Sequence, residues 1–316
     1  MKGVVNTLVC LTCLLLTMTA CKNSKKETGK DKASTSLFDK KSVETISSRD
    51  RSSSEAPAVS KKQQGQAHTD GRPRKMEIPA PMKGMKEQLL RREGYYVSYN
   101  SDRKVPNWVA WCLTADHTKG DHYRDGKLFM EDEEVGWPRA TDGDYVRSSY
   151  DRGHLCPSGD NKWSEKAQTQ SFLLTNICPQ NHDLNVGDWN DLEIQCRYWA
   201  KRMGNLYIVT GPVFYNGVKK TIGKHGVAVP DAFFKVVLDD GRKAKAIGFV
   251  YPNRGGHQDM DQCVRSVDEI ERITGIDFFP LLDDNVEDVV EAASNKRMID
   301  DWQIEKAVKY YSSQYN

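Results

Sequence analysis

The stretch Tyr150-Asp151-Arg152-Gly153-His154-Leu155 places an arginine two residues before a histidine. A neutral imidazole near pH 7 is suited to taking a proton from water, so His154 is a candidate general base. A guanidinium fork such as that of Arg152 matches phosphate oxygens. Downstream come Asn176-Ile177-Cys178-Pro179-Gln180, then Asp183-Leu184-Asn185-Val186-Gly187-Asp188-Trp189, Leu192-Glu193 and Arg197. Amide and carboxylate oxygens are the ligands that a hard divalent cation prefers, and Mg²⁺ keeps enough of its waters that one protein oxygen can hold it. Taken singly, each residue has an ordinary alternative. Gly153 and Asn176 would make turns, Asn185 a helix N-cap, and Glu193 with Arg197 a solvated pair four apart on a helix. Together, in this order and spacing, they are hard to attribute to chance.

The elements that must position these residues lie between about Met76 and the C-terminus, where Trp, Tyr and Phe appear with clear turn signals. Residues 95–99 and 107–111 read as aromatic-rich strands. Residues 186–203 have helical spacing, with Trp189, Leu192, Cys196, Trp199, Ala200 and Met203 on one stripe and Glu193 and Arg197 nearer the polar side. A strand over 206–210 ends at Gly211-Pro212. Residues 232–238 and 245–251 form a hairpin through Asp239-Asp240-Gly241. Ser266-Val267-Asp268-Glu269 is a capping box that opens a helix stopping near Gly275. The expected fold class is α+β, a mixed or antiparallel sheet with packed helices.

The chemistry-bearing residues resemble the DNA/RNA non-specific endonuclease family, of the His-Me finger (ββα-metal) superfamily. Its D-R-G-H motif matches Asp151 to His154, its N-I-x-P-Q segment Asn176 to Gln180, and its N-x-x-x-W-x-x-L-E segment Asn185, Trp189, Leu192 and Glu193. A family arginine falls on Arg197, and the likeness spans roughly residues 90 to 285. The resemblance implies a ββα-metal motif and a metal-dependent endonuclease that cuts DNA and RNA with little regard to sequence or sugar. It implies His154 as the base that activates water, Asn185 as the direct ligand of a single Mg²⁺ (Mn²⁺ being a possible substitute), and Glu193 acting on the metal through water. Arg152, Arg197 and an upstream residue, Arg124 or its rival Lys127, would contact phosphate. Asn176, Gln180 and Asp151 would position substrate or the loop carrying Asn185. Where the family often has a small residue two after the histidine, this chain has Cys156, either in a disulfide or as a thiol near the site.

Composition limits the alternatives. The 316 residues are 38% apolar and 28% charged, ordinary for a globular protein, and carry a net charge of +2. Residues 22–75 hold fourteen basic against seven acidic side chains, so the surplus lies there and residues 76–316 are net acidic. Charge alone therefore does not point to nucleic acid. Met1 to Ala20 reads as a secretory signal, and Thr19-Ala20-Cys21 resembles a lipobox, with Cys21 lipidated; a cleaved soluble secretory protein is the alternative. Residues 21–75, rich in Ser and Lys, read as a disordered tether or as a segment that folds on a partner. The expected organisation is a signal over 1–20, a lipidated tether over 21–75 and the nuclease domain over 76–316, held at a bacterial cell envelope or secreted. Five cysteines remain in that domain, so at most two disulfides form. A homodimer stays open. Rival functions are a catalytically inactive envelope lipoprotein that binds nucleic acid, and a phosphodiesterase for small nucleotides. His154 with Cys156 as a thiol hydrolase lacks an orienting third group.

Overall fold

Long strands buried along nearly their whole length set the architecture of the computed structural model, which describes residues 75–315. The signal segment, Cys21 and the tether as far as residue 74 lie outside the described residues. In chain order the strands are β1 (Gln88–Arg91), β2 (Tyr96–Asn100), β3 (Val105–Leu113), β4 (Asp151–His154), β5 (Ile177–Gln180), β6 (Leu206–Val213), β7 (Thr221–Ile222), β8 (Val227–Ala228), β9 (Ala232–Asp239), β10 (Lys245–Pro252) and β11 (Val264–Arg265). The helices are α1 (Asp142–Tyr145), α2 (Glu165–Gln170), α3 (His182–Val186), α4 (Asp188–Met203), α5 (Val267–Thr274), α6 (Asp284–Glu291), α7 (Asn295–Trp302) and α8 (Ile304–Tyr315).

Seven strands form one antiparallel sheet in the order β1-β2-β3-β6-β9-β10-β11. Both faces are covered, which is why its strands read as nearly continuous apolar runs. Val109, Trp111, Phe233, Val237, Phe249 and Tyr251 face a core shared with α4 and with Trp302, Ile304 and Tyr311 of the C-terminal helices. Trp108, Ala110, Phe234, Val236 and Leu238 face the other core, with Ile270 of α5 and Val290 of α6. The fold is α+β, as expected. No helix among the described residues is long and apolar enough to cross a membrane.

Three expectations shift for physical reasons. The strand expected to stop at Gly211-Pro212 continues to Val213, because both residues pair in register with Phe234 and Phe233 of β9. The Asn107 carbonyl oxygen and the Phe234 ring come so near Gly211 that a Cβ there would clash with both. The helix expected from 186 is two helices, α3 and α4, broken at Gly187. Cys112, Cys156, Cys178, Cys196 and Cys263 are all free thiols, so neither of the two allowed disulfides forms. Elsewhere the reading is close. Ser266 caps α5 by accepting from the Glu269 N–H, and Gly275 ends it in the left-handed conformation, φ 72°.

Candidate active site

Strands β4 and β5 make a small hairpin of their own, paired Asp151↔Gln180, Arg152↔Pro179, Gly153↔Cys178 and His154↔Ile177, and the chain then runs directly into α3 and α4. Close pairing needs glycine at 153. A Cβ there would sit 2.1 Å from Gln180 Oε1 and 2.6 Å from Gln180 Cβ. Gly153 is therefore a mid-strand residue over which Gln180 closes, not the turn its type suggests.

His154 ends β4 with its ring against Phe172 (centroids 5.0 Å, edge-on) and Phe129 (5.3 Å). Its Nε2 is buried and has no hydrogen-bond partner. Burial among those rings, with a smaller contribution from the positive charge of Arg124, lowers the imidazole pKa to about 3. The ring is therefore neutral at ordinary pH. Behind it, Asn176 is fully buried and makes an amide clamp: its Oδ1 accepts from the Cys156 N–H (2.9 Å), and its Nδ2 donates to the Cys156 and Ser171 carbonyls (2.8 Å each). Asn176 thus fixes the chain leaving His154, rather than the loop carrying Asn185. Gln180 bonds to nothing on that loop either; both of its amide atoms are buried and unpartnered over Gly153.

Asn185 lies inside α3, whose N-cap is Asn181. Its Nδ2 donates to Asp151 Oδ2 (2.9 Å), the oxygen that also meets His182 Nδ1 (2.8 Å). With the amide nitrogen committed to Asp151, the carbonyl oxygen of Asn185 is the side-chain atom that could ligate a cation, and Asp151 fixes its orientation. On α4, Glu193 and Arg197 do not form the simple solvated pair. Arg197 Nη1 donates to the buried Asp160 (3.0 Å), which also accepts from Trp111 Nε1 (3.1 Å). Burial pushes the Glu193 carboxyl up to about 7, opposed by the charges of Lys235, Arg197 and Arg124. Lys235 is a buried lysine on β9 whose ammonium lies over Trp189 (4.5 Å) and Trp111 (5.3 Å).

The two upstream cations separate clearly. Lys127 is ion-paired with Glu165, while Arg124 is exposed and acts on both His154 and Glu193. Arg152 departs from the free phosphate fork expected of it. Its Nε and Nη2 donate to the carboxylate (2.5 Å) and carbonyl (3.0 Å) of Asp142, and its guanidinium lies over Phe129 and Tyr145. Cys156 is a buried thiol that accepts from Asn161 Nδ2 (3.3 Å), and burial pushes its pKa well up, so it offers no thiolate. His225 and His257 pair with Asp144 and Asp188.

Four residues that sequence reasoning did not assign to the site complete it. Phe129, Phe172 and Asp160 carry no local signal. Lys235 does carry one: it is the single charge in the apolar run Ala232 to Leu238, at a position whose alternation with Phe233 and Val237 points it under α4.

A histidine on the first arm of a hairpin, with an oriented asparagine and a half-buried glutamate on the helices after the second arm, is the arrangement of a ββα-metal nuclease. Residues 74–285 match the family described as DNA/RNA non-specific endonuclease, and the chain belongs to that family. It is similar to the mitochondrial nuclease EXOG of Danio rerio, 37% identical over 60% of this chain and 60% of that protein. It is also similar to human mitochondrial endonuclease G, 34% identical over 61% and 70%, and to a nuclease of a Nostoc strain, 34% identical over 65% and 77%. The chain therefore spans less than two thirds of the length of the EXOG relatives. A solved EndoG/EndoGI complex superposes with TM-score 0.59 at 30% identity, over 62% of this chain and 87% of that one.

Proposed function

We propose that this protein hydrolyses phosphodiester bonds within DNA and RNA chains, with little preference for sequence or sugar. One observation carries the reading: a neutral imidazole with a buried, unpartnered Nε2 sits at the end of a hairpin that leads into Asn185 and Glu193. An unsatisfied buried polar atom costs stability and calls for a functional account. Here Nε2 accepts the proton of an attacking water, and the rings of Phe129 and Phe172 hold the imidazole in place. Arg124 and Arg197 supply positive charge to the phosphate, Arg197 held by Asp160. Arg152, tied to Asp142, holds Phe129 against the histidine.

The donors fit a hard divalent cation. At the hairpin, among the described residues, no three His, Cys, Asp or Glu side chains converge, so a cation there would keep most of its waters, as Mg²⁺ does. The Asn185 carbonyl oxygen would hold it directly and Glu193 through water, and a neighbouring cation favours the charged form of that carboxyl. When bound, Mg²⁺ or Mn²⁺ would neutralise charge on the scissile phosphate and the departing oxygen. Because the site addresses phosphate rather than base edges, it has no means of reading sequence. Attachment to a cell envelope through Cys21 belongs to the same proposal and rests on the sequence around Ala20-Cys21.

The test is cleavage of supercoiled plasmid and of RNA, with Mg²⁺ and with EDTA, by the protein and its His154→Ala and Asn185→Ala variants. Both substrates should be cut only with metal, and each variant should lose several orders of magnitude in rate while still binding plasmid. Binding without cleavage by the folded wild-type protein would favour the inactive binder instead.

A further inference from the structure

On the face of the sheet opposite the hairpin, Asp268 and Glu271, three apart on α5, converge with Glu291 at the end of α6. One ligand oxygen from each lies within 4.8 Å of the other two. Glu291 is the telling member. It is 7% exposed, and its Oε1 is buried with no hydrogen-bond partner. The charges that bear most strongly on it are all carboxylates: Glu271, Glu287, Asp268 and Asp277. Glu271 itself has one oxygen occupied by the Phe278 N–H (2.7 Å). Three acidic side chains from two helices, one of them buried without a partner, need either a proton or a cation between them, and burial beside these neighbours pushes the Glu291 carboxyl up to about 9.

We propose that Asp268, Glu271 and Glu291 form a calcium site that ties the end of α6 to the first turn of α5. Calcium takes oxygen ligands at about 2.3–2.6 Å, so one ion reaches oxygens up to about 5 Å apart; Mg²⁺, at about 2.1 Å, fits only the narrow end of that range. Asp268 is exposed, which leaves room for water to complete the coordination sphere. Glu291 lies beyond residue 285, where the family match ends, so the full triad is not part of that match. The site is independent of the proposed catalytic one.

The experiment is thermal unfolding of the full-length protein after EDTA treatment, with and without added CaCl₂. It is run on an Asn185→Ala background so that cation binding at the hairpin does not contribute. At free Ca²⁺ a hundredfold above the dissociation constant, the midpoint should rise by roughly 5–10 °C. Adding Glu291→Gln, or the exposed Asp268→Asn, should remove most of that rise while the protein still melts cooperatively. Mg²⁺ at the same concentration should give a much smaller shift. No calcium-dependent rise on the Asn185→Ala background, or a full rise in the Glu291→Gln protein, would overturn the proposal.

Discussion

Gly153→Ala tests the hairpin in the most direct way. The added methyl would stand 2.1 Å from Gln180 Oε1, 2.9 Å from its Cδ and 2.6 Å from its Cβ. The first two atoms can rotate away. The Cβ cannot, because the backbone of β5 fixes it, and the register of β4 against β5 fixes that backbone. Carbon atoms settle at about 3.5–4.0 Å, so the strands must part locally by about 1 Å. Overpacking of this kind costs about 1–3 kcal/mol. The kinetic effect should be larger in proportion, since His154 is the next residue and a misplacement of about 1 Å can cost about 10²-fold in rate. The variant should remain folded, bind plasmid as before and cleave it about a hundredfold more slowly. The obstacle is the Cβ, so Gly153→Ala with Gln180→Ala should stay slow, whereas Gly153→Ala with Gln180→Gly should recover most of the rate. Cleavage by the single variant within about threefold of wild type would refute the argument, as would equal recovery in the two double variants.

Two further outcomes follow from the groups behind the site. Asp160→Ala leaves the Arg197 charge and the Trp111 indole without their buried acceptor and should cost about 3–5 kcal/mol in urea unfolding; a loss under 1 kcal/mol would show that Arg197 finds another partner freely. For His154, the folded-state pKa lies near 3 and the unfolded value near 6.5. The unfolded chain therefore binds this proton first, and the stability contributed above pH 6.5 is lost as pH falls toward 3. Metal-free wild-type protein should lose stability more steeply than His154→Gln between pH 6.5 and 5, and equal slopes would mean that the imidazole is solvated.

What the sequence made legible was the set of residues whose chemistry is carried by their own type. His154 could be singled out by the chemistry of imidazole, and Asn185 and Glu193 by their resemblance to the family's motifs. The sheet was legible where strands are covered on both faces, as in β9 and β10, because apolar runs then bounded the elements closely. What could not be read was geometry that depends on the partner strand. Gly153 looks like a turn until Gln180 is seen lying over it, and Pro212 looks like a strand end until its pairing with Phe233 is known. The role of Asn176 likewise depends on which loop comes within hydrogen-bond reach, which no local spacing encodes.

The same reasoning explains why Lys235 matters more than its distance from the motifs would imply. A buried ammonium is costly unless something offsets its desolvation, and the two tryptophan faces do so in part. The charge then favours the ionised form of Glu193, opposing the burial that raises it. Glu193 is thus held between two demands: burial, which prevails and pushes it up to about 7, and the cations Lys235, Arg197 and Arg124, which favour its charged form. Three of the elements that meet there, β9, α4 and the loop bearing Arg124, are far apart in sequence, so the electrostatic balance of the site is a property of the packed sheet and helix rather than of the motif that reveals it.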